Sequence, residues 1–170
     1  MGLAEFLPSA YRYLMNDDPF TALIGTDVGM DSNATDAYNK GWVFQGLDGD
    51  GRPYRDPQGS GKAAVVLTSR DGWASPNMHN TATFPSLQVL IYADVSRSLQ
   101  GSPTARDAEA RCKRVYEKVD RVFHDPSNST HGWDGVRIVS CVRSSELSIS
   151  DIPGSDLMVR GLVRYNVVLA

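Results

Sequence analysis

Two short motifs early in the chain combine residue types that can bind a cation or a phosphate. Asp48-Gly-Asp50-Gly51 resembles the start of a calcium-binding loop. Such a loop also needs an oxygen ligand at its fifth position and a glutamate at its twelfth, because calcium is coordinated by oxygens at fixed spacings. Those positions hold Arg52 and Gly59. The pattern therefore favours a solvated turn rich in glycine and aspartate.

The second motif, Gly59-Ser60-Gly61-Lys62, resembles the end of a phosphate-binding loop. That loop requires a glycine five residues before Gly61, where this chain has Asp56. It also requires Ser or Thr after the lysine to hold magnesium, and this chain has Ala63. A nucleotide site at this motif is excluded.

Histidines and cysteines are the remaining side chains with catalytic or metal-binding chemistry. His79, His124 and His131 fall in or beside predicted loops, and no nucleophile elbow or helical histidine pair accompanies them. Cys112 and Cys141 lack metal-ligand spacing and are predicted to be buried thiols, although a disulfide between them is also compatible with the sequence. We therefore expect no enzymatic activity, no cofactor and no metal. An unrecognised hydrolase using His79 or His131 is the alternative from another class.

Length and charge narrow the functional classes further. The 170 residues suit a single domain spanning 1–170, and the net charge is −3. Residues 1–60 carry nine acidic and four basic side chains, whereas residues 61–130 carry seven acidic and nine basic ones. No concentrated basic surface for gripping nucleic acid is predicted. No apolar run is long enough to cross a membrane, and the N-terminus does not resemble a signal peptide, so synthesis in the cytoplasm is expected.

The N-terminal third predicts short helices followed by a strand. Apolar residues recur at helical spacing from Leu3 to Met15, and Pro8 is predicted to split this pattern into a turn and a helix. Phe20 to Ile24 predicts one further helical turn. Trp42-Val43-Phe44 predicts a short strand.

The middle of the chain predicts two strands and two long loops. Ala63 to Thr68 is an unbroken apolar run, and Leu87 to Tyr92 shows the period-two alternation of a sheet. The segments 46–61 and 69–83 are predicted to be loops, and loops of this length are usually functional or disordered in isolation.

The strongest helical signal begins at Ser102-Pro103-Thr104, where Thr104 and Asp107 match a capping box. An amphipathic helix follows, and Glu117 with Arg121 is one of its predicted surface pairs. Its apolar positions are Ala108, Cys112, Val115, Tyr116, Val119, Val122 and Phe123. We expect this helix to lie across a sheet.

Two strands are predicted at the end of the chain. Val136 to Val142 is rich in β-formers, and Leu157 to Leu169 alternates over an unusual length, so it could pair with a neighbouring subunit. The predicted fold is α+β: a mostly antiparallel sheet of about five strands, one major amphipathic helix and a short N-terminal helix, in the order α-β-β-β-α-β-β.

Exposed aromatic and charged residues in loops, together with arginines on the final strand, predict a binding surface. Trp73 with Met78, and Trp133 beside Asp134, lie in polar contexts, where they either fold back over the core or anchor an interface. The candidate interface residues are Asp48, Asp50, Arg52, Tyr54, Arg55, Trp73, Met78, Trp133, Arg160 and Arg164.

Three segments of the chain carry a resemblance to a known family. They are the N-terminal helix leading into Leu23-Ile24-Gly25, the segment from Phe84 to Val95 leading into the helix at 108–123, and the closing strands at 136–142 and 159–167. In length, element order and these segments the chain resembles the tail terminator proteins of long-tailed bacteriophages, also called tail completion or minor tail U-type proteins.

The resemblance implies a structural role in a virion. Such subunits form a hexameric ring on the tail tube, end its polymerisation and present a surface to the head–tail connector, while DNA passes through the lumen without specific binding. The implied partners are further copies of the chain, the tail tube protein and the connector protein. The implied location is the head–tail junction of a particle assembled in a bacterial host. Another head–tail joining or minor tail protein is the alternative within the same setting.

Overall fold

The computed structural model describes residues 5–24, 42–57, 62–74, 83–94, 105–125, 131–133, 135–152 and 155–169. The elements are α1 (Phe6–Met15), α2 (Asp18–Ile24), β1 (Val43–Gln45), β2 (Ala63–Ala74), β3 (Thr83–Asp94), α3 (Ala105–Phe123), β4 (His131–Trp133), β5 (Val136–Arg143), β6 (Ser148–Ile152) and β7 (Ser155–Leu169). The predicted α+β class and the mostly antiparallel sheet are confirmed. The described part of the chain has seven strands and not about five, because β4 is very short and β6 lacks a period-two apolar pattern.

The final strand lies in the middle of the sheet. The strand order is β1-β2-β3-β7-β5-β4, with β6 beside β7, and only the β1–β2 pair is parallel. β3 pairs along one edge of β7, while β5 and β6 share its other edge. Both edges of β7 are therefore used within the chain. The expectation that this strand could pair with a neighbouring subunit is wrong.

The predicted loop at 69–83 is wrong at its two ends, because residues 69–74 and 83 lie in strands. β2 continues to Ala74 and β3 begins at Thr83, so the two strands pair well beyond the apolar run. The register shifts between Arg70 and Trp73, so the pairing is irregular there. Residues 69–74 of β2 extend past the short strand β1, and their polar sequence lacks the hydrophobic alternation by which a strand is recognised. Residues 75–82 lie outside the described part of the chain.

Alternation along the strands gives the sheet two apolar faces. On the helix-covered face, β2, β3 and β7 contribute residues such as Val65, Val89 and Val163 to the main core under α1 and α3. The outer face carries a smaller cluster. Its buried members are Phe44, Ala64, Val66, Leu90 and Tyr92. Because α1 contacts β1, β2 and also β4, which lie at opposite ends of the strand order, the sheet curls around the helices.

The long helix forms as predicted. α3 packs on β3 and β7, and its predicted apolar positions are buried or packed against the main core. The predicted cap, Thr104, lies outside the described residues. Arg121 does not use its predicted partner Glu117 but donates to both carboxylate oxygens of Asp17, at 2.7 and 2.6 Å. Asp17 also accepts the backbone N–H of Phe20, so this carboxylate joins the start of α2 to α3.

The proline in the first helix does not break it. Pro8 is the third residue of α1, in the first turn, where a backbone N–H has no partner within the helix and its loss costs little. The predicted split at Pro8 is therefore wrong. None of the helices in the described ranges is long and apolar enough to span a membrane.

Candidate functional site

Five of the predicted interface residues lie in one ordered turn after β1. The carboxylate of Asp48 accepts the backbone N–H groups of Asp50 and Arg52, at 2.9 and 2.8 Å. The backbone N–H of Asp48 donates to the carbonyl of Arg52, and Gly51 takes the positive φ of 72° that closes the turn. The predicted solvated Gly/Asp turn is confirmed. Asp48 acts inside the turn, whereas Asp50 and Arg52 are exposed.

The hydrogen bonds of Asp48 lead to a prediction with a matched control. Asp48→Ala is expected to lower the free energy of unfolding by about 1–2 kcal/mol, since two backbone N–H groups lose their acceptor. Asp50→Ala, which removes an exposed carboxylate from the same turn, is expected to change it by less than about 0.5 kcal/mol. Urea denaturation of both variants measures the difference. Equal effects would show that the side chain of Asp48 does not hold the turn.

Aromatic side chains anchor this turn to the outer face of the sheet. The ring of Tyr54 lies 6.2 Å from that of Phe44, yet the tyrosine is 58% exposed. The guanidinium of Arg55 lies over the Trp42 ring, 5.0 Å from its centroid, as a cation–π contact. Tyr54 is thus an exposed aromatic on an ordered support, which is the property that interface anchors share. We refer to residues 48–56 as the Tyr54 turn.

The two predicted arginines of the last strand lie on the outer face. Arg160 is opposite Tyr92 of β3, and Arg164 is opposite Gln88, and both arginines are half-buried. Burial raises the pKa of Tyr92, and the neighbouring Arg160 partly offsets that rise. The outer face therefore presents cationic side chains beside the small apolar cluster.

Trp133 belongs to the core and not to an exposed surface. Its ring stacks on Tyr13 and Phe6, with centroids 5.5 and 6.0 Å apart, and lies 5.3 Å from Phe123. It is fully buried. Of the two interpretations open for this residue, folding back over the core is confirmed. Trp73 lies in β2, but its side chain is not among those described, and Met78 lies outside the described residues.

A polar cluster joins α3 to the sheet behind the aromatic core. Asp120 accepts hydrogen bonds from Tyr165, at 3.0 Å, and from Arg143, at 2.8 Å, and Arg143 also donates to Tyr116. Burial is the largest cause that raises the pKa of Tyr165 well above its usual range, and the negative charge of Asp120 raises this pKa further. The backbone N–H of Arg143 donates to Nδ1 of His124. All these groups are engaged with one another, so the cluster fixes α3 on β5 and β7.

The structure describes only some of the histidines on which a hydrolase activity would depend. His124 is held by the backbone of β5, His79 lies outside the described residues, and the side chain of His131 is not described. Among the described ranges, no group of three or more His, Cys, Asp or Glu residues could hold a metal ion.

Both cysteines are free thiols in the core. The Cys112 thiol lies 3.6 Å from the carbonyl of Ile91, and burial raises its pKa to about 12. Burial likewise raises the pKa of Cys141. The disulfide that the sequence left open is not formed, and the predicted buried thiols are confirmed.

Thiol reactivity tests this arrangement. Because a thiolate is the reactive form, the native protein at pH 8 is expected to react with a disulfide reagent at least about a hundredfold more slowly than the unfolded chain. Ser150→Cys, at an exposed position of β6, is the control and is expected to add one fast thiol. Absorbance of the released thiol measures both rates. Fast reaction of the unchanged protein would contradict the burial of Cys112 and Cys141.

The sequence does not predict the exposure of Leu23. Leu23 lies three residues after Phe20 and next to Ile24, a helical spacing that would place it toward the core. Its side chain is nevertheless 40% exposed. Only the packing of α2 against α3 decides which side of the short helix faces water.

The comparisons with known proteins bear on the fold. No family model and no curated protein matches the chain. A solved structure described as the virion of a native gene transfer agent particle contains a chain with the same fold. It aligns with a TM-score of 0.56 and 14% identity, over 95% of this chain and 92% of the other.

Proposed function

We propose that the protein is a structural component of a phage-like particle, and that it caps the tail tube as a ring of six copies. The observation that carries the proposal is the fold shared with a chain of a gene transfer agent virion over nearly the full length of both chains. The resemblance of the three sequence segments to tail terminator proteins supports the narrower role. The protein acts by assembly and not by catalysis.

The surface of the chain suits a role in assembly. The Tyr54 turn has an ordered backbone with the exposed Tyr54 at its surface, and Arg160 and Arg164 lie half-buried on the outer face. The tail tube protein and the connector protein are the partners that this role requires. With a net charge of −3, the ring lets DNA pass through its lumen without holding it.

Tube assembly in the presence of the purified protein tests the role. Tail tube subunits of the same particle are polymerised with and without this protein, and tube lengths are measured by negative-stain imaging. Added protein is expected to shorten the length distribution and to appear as a ring at one tube end. Light scattering is expected to give about 112 kDa for six copies of 18.6 kDa, either free or released from tube ends. Unchanged tube lengths with no bound protein would overturn the proposal.

A further inference from the structure

We draw no further inference here: the strongest candidate, the groove lined by Leu23, Lys62 and Val115 where α2, the start of β2 and α3 meet, carries none because nothing in the structure shows what covers it.

Discussion

Replacing Trp133 with alanine is expected to lower the free energy of unfolding by about 3–5 kcal/mol, because it removes the largest fully buried side chain among the described residues. The indole contacts Phe6 and Tyr13 of α1 and Phe123 of α3, and so joins β4 to both helices. A domain of this size is stable by about 5–15 kcal/mol, so a substantial part of its stability depends on this residue. Chemical denaturation followed by circular dichroism measures the change.

Tyr54→Ala is the matched control, since it removes an aromatic side chain that is mostly exposed. Its expected effect on the free energy of unfolding is below about 1 kcal/mol. Comparable losses for the two variants would show that Trp133 does not anchor the core. Phe at position 133 should recover most of the stability, because an aromatic ring refills most of the volume.

Removing the carboxylate of Asp120 has the second largest expected effect. Asp120→Ala should lower the free energy of unfolding by about 2–3 kcal/mol, because the buried hydroxyl of Tyr165 loses its acceptor and the guanidinium of Arg143 loses one of its acceptors. The side chain of Asp120 is 19% exposed, so water replaces part of what is lost and the effect stays below that of a fully buried pair. Equilibrium unfolding in urea at pH 7 measures it.

Two further variants separate the contribution of the Tyr165 hydrogen bond from the general effect of removing an acidic side chain from α3. Tyr165→Phe removes only one hydrogen bond and is expected to cost about 1 kcal/mol. Glu117→Ala removes an exposed acid one turn earlier on α3 and is expected to change little. An Asp120→Ala variant no less stable than Glu117→Ala would show that the cluster does not fix α3 to the sheet.

The sequence predicts those parts of the fold in which a local pattern and the final environment agree. The apolar positions of α3 face the core because that helix is long enough for its periodicity to dominate. The alternation of β7 is equally clear, with Val159, Val163 and Val167 buried and Arg160 and Arg164 toward the outer face. The Gly/Asp turn is predicted because Asp48 and Gly51 make a turn through their own backbone and side chains.

The remaining features depend on contacts between distant segments. Arg121 is paired with Asp17, 104 residues away, and no local rule selects that partner over Glu117. Trp133 has polar neighbours in sequence, yet α1 and α3 close over it. From its length alone, β7 is predicted to have an edge free for a second subunit. The fold shows that β3, β5 and β6 already pair with it. The groove lined by Leu23, Lys62 and Val115 forms from three segments that are distant in sequence and meet only in the fold.

The position of β7 also governs when the chain can fold during synthesis. β1 to β3 are made first, but β3 keeps one edge unpaired until residues 155–169 have left the ribosome. β5 and β6 likewise depend on the same strand. The nascent chain must therefore hold exposed strand edges until β7 inserts between β3 and β5. A fragment that ends before residue 155 would leave these edges unpaired and is expected to aggregate.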